Sequence, residues 1–311
     1  MQEVFLCVSI DCECDKGPHW RVRRPLAFQG VLIGIAERLH PLFRRFGAKP
    51  TYLLSPEVLR DERCIEHLYA LDGCEFGTHL HGELAEPGAF EPEVTSAVQR
   101  EYPPELERAK LSWMTGLFRS VLDRAPRSFR AGRFGIGPHT VSILEDLGYA
   151  VESSVTPHVD WSDVSRGLTF RGATTQPYHP DPRDPSRSGA SPLVEVPVTI
   201  RPRALGRLPL VGRWIEPRWL RPTKSNGDEL ISVAREEIHE ARRRRPRSPV
   251  VLNAMLHNVE VVAGASPYAS TEAQADAILE RLAALLQFAA ANEVTCIGLA
   301  DVPQLVEALP A

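Results

Sequence analysis

Short apolar runs alternate with longer segments of helical periodicity along most of this chain. The apolar runs predict eight strands, at Val4–Ile10, Pro50–Ser55, Cys74–Thr78, Ser128–Ala131, Ala150–Val155, Leu193–Thr199, Pro249–Leu256 and Val294–Leu299. Apolar residues three and four positions apart predict six helices, at Val31–Phe46, Glu57–Leu71, Glu93–Leu122, His139–Leu147, Asp228–Arg244 and Thr271–Ala291. The stronger strands are apolar throughout, which is typical of a sheet covered on both faces. This alternation indicates an α/β protein with a mainly parallel sheet.

The number of candidate strands favours a barrel over an open doubly wound sheet. The alternation breaks at residues 156–192, which are rich in Pro, Asp, Arg and Ser and predict a long loop. A second irregular stretch, 201–226, holds Trp214, Trp219 and several arginines. Because strands resume after each stretch, we predict a single domain over residues 1–311 with irregular insertions near 156–192 and 201–226.

Composition narrows the class of protein. Of the 311 residues 43% are hydrophobic, enough for a large core, and the formal net charge of -4 argues against a nucleic-acid binder that relies on a basic field. No apolar run approaches the roughly 18 residues that span a bilayer. The first residues enter a strand without the basic region of a signal peptide, and the six cysteines lack the spacing of a disulfide scaffold. These features predict a soluble cytoplasmic protein with reduced thiols.

Acidic and imidazole side chains stand at the ends of three strand-like runs. Asp11 and Glu13 follow the first run, and His257 ends the run that begins at Pro249. Residues two apart on a strand point the same way, so the two carboxylates can serve one site, with one binding a metal and the other taking a proton from water. The alternative is that one of them caps a helix or accepts N–H groups of a loop.

His79, His81 and Glu83 follow the third run. An extended chain directs both imidazoles to one metal, whereas a helix that begins at His79 places His79 and Glu83 on one face. A histidine that is hydrogen-bonded within the core is the structural alternative. Carboxylates and imidazoles at the carboxyl ends of parallel strands build hydrolytic metal sites in α/β barrels.

Taken in chain order, these pieces resemble the polysaccharide deacetylases of the NodB-homology class, the fourth carbohydrate esterase family. The resemblance covers nearly the whole chain and is carried by six segments: Ser9–Glu13, Lys49–Leu54, Glu75–His79, Phe129–Phe134, Leu147–Ser154 and Leu256–His257. The details are most similar to a WalW-like branch found with genes for cell-surface polysaccharide biosynthesis. That branch similarly has His-Leu-His, and Ser-Pro-Tyr after the final histidine, as in Ser266–Tyr268.

The resemblance implies a distorted (β/α) barrel of about seven parallel strands, with the site at its C-terminal mouth. It implies a deacetylase that holds a divalent metal through Glu13 and His79, with His81 as the third ligand. Zinc suits this mixture of imidazole and carboxylate, and cobalt, nickel or iron can replace it.

The same resemblance implies roles for the remaining residues. Asp11 would be the general base, Arg130 would orient it and keep it ionised, and His257 would protonate the leaving amine. The metal and a backbone N–H near Arg133 would stabilise the oxyanion. The predicted substrate contacts are Arg133, Trp214 and Tyr268.

The sequence departs from the family's pattern at two positions. Cys12 separates Asp11 from Glu13, where the family usually has adjacent acids. Glu83 stands where the family's second motif has its second histidine, so either His81 or Glu83 completes the metal site. Imidazole is the more usual zinc ligand, which favours His81.

We therefore predict a hydrolase that removes an N-acetyl or other acyl group from an amino sugar, in a nucleotide-linked or lipid-linked precursor. A hydrolase of a non-sugar amide on the same barrel and a non-catalytic carbohydrate-binding relative are the alternatives. The segment 205–221, rich in Arg and Trp, suits contact with sugar rings, with a membrane surface or with the barrel itself. We expect no nucleic-acid partner.

Overall fold

The computed structural model describes residues 2–89, 98–203 and 215–307. Its strands are β1 (Val4–Cys12), β2 (Thr51–Leu54), β3 (Glu75–Leu80), β4 (Ser128–Ala131), β5 (Val151–Glu152), β6 (Val194–Glu195), β7 (Ile200–Arg201), β8 (Arg218–Trp219), β9 (Val250–His257) and β10 (Thr295–Cys296). Its helices are α1 (His40–Phe46), α2 (Pro56–Leu59), α3 (Glu62–Tyr69), α4 (Pro104–Leu122), α5 (Thr140–Leu147), α6 (Gly227–Arg244), α7 (Glu272–Ala291) and α8 (Val302–Glu307). A π-helical segment, Gly30–Leu39, runs directly into α1.

The strand β1 lies inside a parallel sheet. One edge of β1 pairs with β9, and the other edge pairs with β10 at Phe5 and Leu6 and with β2 from Ser9 onward. From β2 the order continues through β3, β4, β5 and β6, and every pair is parallel. Because β2 and β10 share one edge of β1, the sheet is seven strands wide: β9, β1, β2 with β10, β3, β4, β5 and β6.

The sheet curls so that its two ends approach each other. Past β6, the Val198 N–H donates to the Val155 carbonyl at 3.0 Å, and the Thr199 N–H donates to the Asn253 carbonyl of β9 at 2.9 Å. The antiparallel pair of β7 and β8 continues from this point. The prediction of a distorted (β/α) barrel with about seven parallel strands is confirmed.

Burial of the central strands accounts for the strength of their sequence signal. Eight of the nine residues of β1 and seven of the eight residues of β9 are buried. Each buried Leu, Ile or Val side chain contributes roughly 2 kcal/mol relative to an exposed one. A strand that is buried on both faces is the kind that a parallel sheet requires, with helices covering the outside.

Helix boundaries differ from the prediction where capping and proline intervene. Asp61 has an extended backbone and accepts the Cys64 N–H at 3.1 Å, which divides the predicted helix Glu57–Leu71 into α2 and α3. Residues 93–97 of the predicted helix Glu93–Leu122 lie outside the described residues, and within 98–122 the helix α4 begins only at Pro104. The residue before a proline disfavours the helical conformation, so the Pro103-Pro104 pair keeps Tyr102 and Pro103 extended.

Three predicted strands were also too long. The ladders of β5, β6 and β10 contain two residues each. The chain beyond β6 stays hydrogen-bonded to the β5 segment but shifts register, because the Val196 N–H donates to the Glu152 carbonyl and the Val198 N–H to the Val155 carbonyl. These strand ends therefore depend on contacts that local sequence does not encode.

The first irregular stretch, 156–192, lies wholly within the described residues and forms only isolated bridges, as predicted. Of the second, residues 204–214 lie outside the described residues, and with them Trp214. All six cysteines are free thiols, as predicted. None of the described helices has the length and hydrophobicity that crossing a bilayer requires. The prediction that 1–311 is one domain stays a prediction.

Candidate active site

Four strands that end at one edge of the sheet bring the predicted residues together. In the register of the parallel pairs, Asp11 on β1 lies beside His257 on β9. In the same way, His79 on β3 lies beside Arg130 on β4. The site therefore lies at the carboxyl ends of the strands, where (β/α) barrels carry their active sites.

Glu13, His79 and His81 form a compact cluster, called here the Glu–His–His group. The Oε1 atom of Glu13 lies 3.1 Å from His79 Nε2 and 3.1 Å from His81 Nε2. One ligand atom from each residue lies within 4.8 Å of the others, and all three side chains are buried. One carboxylate oxygen and two ring nitrogens that converge in this way can hold a divalent metal and leave a position open for water.

The ring orientation of His79 is fixed by a backbone carbonyl. His79 Nδ1 lies 3.1 Å from the Arg130 carbonyl oxygen, which can only accept a hydrogen bond. Nδ1 therefore carries a proton, which makes Nε2 the ring nitrogen available to a metal beside Glu13. This tautomer is the one that a metal-binding histidine needs.

Glu83 lies behind His81. Its Oε1 is 3.4 Å from His81 Nδ1 and 2.9 Å from Arg133 Nη1. Burial favours the neutral His81 ring, but the Glu13 and Glu83 carboxylates outweigh it and raise the pKa of His81 to about 9. The site thus favours positive charge beside Glu13, and Glu83 contacts the ring nitrogen that faces away from the Glu–His–His group.

Lys16 forms an ion pair with Oε2, the second carboxylate oxygen of Glu13. Its Nζ lies 2.6 Å from Glu13 Oε2, and both side chains are buried. Burial acts to raise the pKa of the Glu13 carboxyl, but Lys16 and His81 outweigh it and hold that pKa well below its usual range. Glu13 is therefore an anion that presents a single free oxygen to the two imidazoles.

Asp11 pairs with a fully buried arginine. Arg130 Nη1 donates to Asp11 Oδ1 at 2.7 Å, and Arg130 Nη2 donates to the Ser9 and Ser153 hydroxyls at 2.7 Å and 2.9 Å. Burial acts to raise the pKa of the Asp11 carboxyl, but the charge of Arg130, helped by His79, holds it below its usual value. Asp11 is thus a charged carboxylate whose Oδ2 faces His79 and His257.

His257 stands opposite the Glu–His–His group. Its Nε2 lies 3.7 Å from Asp11 Oδ2 and 3.7 Å from Glu13 Oε1. Its Nδ1 lies 2.8 Å from Glu260 Oε1, and Arg221 forms an ion pair with the same carboxylate. Burial opposes ionisation of Glu260, but Arg221 and His257 lower its pKa below the usual range. Arg221 Nη2 also lies 3.1 Å from His257 Nδ1, so both members of this ion pair contact the same ring nitrogen and fix the orientation of the ring.

These groups open into a cavity of about 940 Å³ with aromatic walls. Trp20 packs edge-on against His257 at a centroid distance of 4.9 Å and against Tyr268 at 5.4 Å. Phe134 and Trp161 stack at 5.4 Å and also line the cavity. Flat apolar rings around polar groups suit a sugar, which has apolar faces and polar edges.

The structure brings together nearly all of the residues that the sequence predicted. Arg133 and Tyr268 line the same cavity as the catalytic candidates, whereas Trp214 lies outside the described residues. Trp219, considered as a sugar contact, is only 4% exposed and packs near Phe134. Of the alternatives for the segment 205–221, packing on the barrel is the one that the burial of Trp219 supports.

Among the residues of the site that sequence reasoning missed are Lys16, Trp20, Arg221 and Glu260. A usable signal existed for two of them. Trp20 is an isolated aromatic residue in a polar stretch, and Glu260 follows His257 at a spacing of three. Lys16 and Arg221 gave no such signal, because each is identified only by the carboxylate it meets.

Comparison with known proteins shows the fold. No protein-family model and no curated protein matches the chain. A protein from Mycobacterium smegmatis described as a polysaccharide deacetylase is 18% identical with a TM-score of 0.58, over 99% of this chain and 91% of its own. Another so described, from Pseudomonas aeruginosa PAO1, is 15% identical with a TM-score of 0.59, over 97% and 90%. Puue allantoinase is 14% identical with a TM-score of 0.55, over 99% and 91%. The chain shares their fold.

Proposed function

We propose that this chain is a metal-dependent amidohydrolase that removes an N-acetyl or other acyl group from an amino sugar. The observation that carries the proposal is the buried Glu–His–His group beside the Asp11–Arg130 ion pair, at the mouth of the barrel. Two of the proteins that share the fold are described as polysaccharide deacetylases, which supports the family resemblance of the motifs. The WalW-like branch stays a prediction from sequence.

Glu13, His79 and His81 are the proposed metal ligands. The tautomer of His79 and the preference for positive charge beside Glu13 both fit a bound cation. Zinc is the first expectation for two imidazoles and a carboxylate, with cobalt, nickel or iron as substitutes. When bound, the metal acts as a Lewis acid that makes water acidic and polarises the acyl carbonyl.

Asp11 is the proposed general base. Arg130 holds Oδ1, so Oδ2 faces the cavity, 3.9 Å from His79 Nε2. The lowered pKa of the carboxyl keeps it ionised and ready to take a proton from water. Arg130 thus fixes both the orientation and the charge of the base.

His257 is the proposed general acid. Its Nε2 lies across the cavity floor from Asp11, and its Nδ1 is held by the Glu260 carboxylate. The Glu260 carboxylate orients the ring through Nδ1, so Nε2 faces the cavity and can give a proton to the departing amine. The ion pair with Arg221 keeps the Glu260 carboxylate charged.

The substitution Asp11→Asn tests this assignment. It keeps the shape of the side chain and removes the base, so we expect acetate release from an N-acetylhexosamine to fall by about 10³-fold. Zinc content, measured by atomic emission, should stay the same. The matched control is Asp146→Asn, which alters an exposed carboxylate that pairs with Arg108. Bound zinc without hydrolysis of any amide by the wild type would instead favour a carbohydrate-binding protein.

A second candidate function keeps the metal but hydrolyses the amide bond of a compound that is not a sugar. Puue allantoinase shares the fold at a similar TM-score, which favours testing non-sugar amides such as ureides beside N-acetylated sugars. Turnover confined to the small amides would replace the amino-sugar proposal. The cytoplasmic location, the precursor substrate and peripheral membrane contact stay predictions from sequence.

A further inference from the structure

A short basic segment, residues 20–24, forms part of the rim of the site cavity. Arg21 and Arg24 line this cavity, and both are exposed. Arg23, between them in sequence, is also exposed but is not part of the cavity lining. The segment therefore presents two guanidinium groups to whatever enters the site.

The charges deeper in the cavity are already compensated. The ion pairs are Asp11 with Arg130, Glu13 with Lys16, Glu83 with Arg133, and Glu260 with Arg221. Within residues 2–89, 98–203 and 215–307, the Arg21 side chain has no such carboxylate partner. At the rim, the positive charge of Arg21 is therefore not neutralised by any carboxylate in the described part of the protein.

The segment is held firmly beside the catalytic candidates. The Arg21 N–H donates to the Lys16 carbonyl at 2.9 Å, and the Lys16 N–H donates to the Ala265 carbonyl at 2.9 Å. Trp20 adopts a left-handed backbone conformation, with φ of 53°, that turns its ring onto His257. Arg21 therefore follows directly after a residue that touches the proposed acid.

A smaller hollow of about 420 Å³ adjoins the cavity and shares Arg24 and Leu84 with it. The other charged residues that line this hollow are Glu57, Arg60 and Asp61. Arg24 thus lines two adjoining spaces, one that holds the Glu–His–His group and one of mixed charge. A ligand that fills both is larger than a single acylated amine.

We propose that the substrate carries an oxyanion, a phosphate or a carboxylate, which Arg21 and Arg24 bind at the rim while its N-acyl group reaches the Glu–His–His group. This inference rests on the proposed function, whose substrate class it narrows to anionic acylated sugars. Guanidinium groups bind such oxyanions through paired charge-assisted hydrogen bonds, which gives both affinity and orientation.

The test measures binding by calorimetry to the zinc-loaded Asp11→Asn protein, in which turnover is suppressed. The ligands are an N-acetylhexosamine, its 1-phosphate and the corresponding N-acetylhexosaminuronate. At low ionic strength we expect at least one anionic sugar to bind about tenfold more tightly than the neutral sugar. Preference for the 1-phosphate alone identifies a phosphate, and preference for the uronate alone identifies a carboxylate.

Arg21→Ala in the same background should remove most of that preference. Arg23→Ala is the matched control, because it deletes a neighbouring exposed guanidinium that does not line the cavity, and it should leave the preference intact. Equal binding of neutral and anionic sugars, or equal losses in the Arg21 and Arg23 variants, would overturn the proposal.

Kinetics of the wild-type protein separate this inference from the proposed function. Hydrolysis of neutral and anionic sugars with equal kcat/KM rejects the oxyanion subsite and keeps the deacylase. An Arg21-dependent binding preference without hydrolysis of any amide keeps the subsite and rejects the deacylase.

Discussion

At the scale of single residues, neighbours decide what each carboxylate of the site can do. Asp11 has one oxygen held by Arg130 and one facing the cavity, so it suits proton transfer. Glu13 has one oxygen held by Lys16 and one facing two imidazoles, so it suits metal binding. The roles follow from which oxygen is already occupied, and not from the residue type.

Glu83 contacts the outer nitrogen of His81, which leads to a prediction about metal affinity. We expect Glu83→Gln to weaken zinc binding by about 10-fold to 100-fold, because it removes the charge that orients and polarises a proposed ligand. His81→Ala should weaken binding much further. Competition with a chromophoric chelator measures both values.

Glu66→Gln is the control for this comparison, since Glu66 is exposed on α3. A larger loss of zinc affinity in Glu83→Gln than in His81→Ala would mean that Glu83, and not His81, is the third ligand.

At the scale of elements, the loop after β3 is held in place by a lysine of α4. Lys110 is fully buried, and its Nζ donates to the carbonyls of Gly82, Ala85 and Pro87 at 2.9, 2.7 and 2.6 Å. This loop carries Glu83. The ammonium group therefore connects the packing of a surface helix to the surroundings of His81.

Lys110→Met should destabilise the fold strongly. The substitution keeps the length of the apolar stem but leaves buried carbonyls without a donor, so we expect a loss of about 3 kcal/mol in the free energy of unfolding. Urea denaturation measures this loss. Lys49→Met, at a half-exposed ion pair with Asp301, should cost less than about 1 kcal/mol. Equal costs in the two variants would contradict the proposed role of Lys110.

The elements also show what sequence can and cannot predict. β1 and β9 are apolar at nearly every position, so their type and the location of Asp11 and His257 at their ends were predictable. Gly77 in the Glu-x-Gly-x-His motif now has a physical reason, because a Cβ there would lie 2.5 Å from the Ser128 carbonyl of β4. The apolar runs and the spacing of the motifs were therefore enough to predict these strands and the site residues at their ends.

Residues whose role comes from distant contacts were not predictable. Lys16 is identified by its burial against Glu13, and Arg221 by the Glu260 carboxylate with which it pairs. Likewise the chain after β6 leaves the β5 edge at Thr199, whose N–H donates to the Asn253 carbonyl of β9. In each case the deciding partner is set by the curled sheet and not by local pattern.

At the scale of the whole molecule, two adjacent carboxyl groups are buried side by side on neighbouring strands of the sheet. Glu152 of β5 and Glu195 of β6 are directly paired in register, and both are fully buried. Burial, together with the neighbouring Glu152 carboxylate, raises the pKa of Glu195 well above its usual value. The folded barrel therefore keeps a proton on Glu195 that the unfolded chain releases near its ordinary pKa.

This proton makes the stability of the fold depend on pH. Because the folded-state pKa is raised, the stabilisation is complete below the unfolded pKa and is lost as the pH rises above it. Compared with Glu195→Gln, the wild type should lose roughly 1 kcal/mol per pH unit as the pH rises from about 5 toward the raised folded-state pKa. Urea denaturation across this range measures the difference, with exposed Glu280→Gln as control. A difference that does not change with pH would contradict a retained proton.

Metal binding should stabilise the whole barrel. The proposed ligands lie at the carboxyl ends of β1 and β3 and meet only in the folded chain. Zinc at about 100 times its Kd adds about 3 kcal/mol to the free energy of unfolding, which corresponds to a rise of about 5 °C in Tm. A chelator should reverse the rise. The double variant His79→Ala/His81→Ala should not respond to zinc, whereas His67→Ala, at an exposed histidine of α3, should respond fully. An equal rise in the double variant would place the stabilising ion elsewhere and remove the main support for hydrolysis at this site.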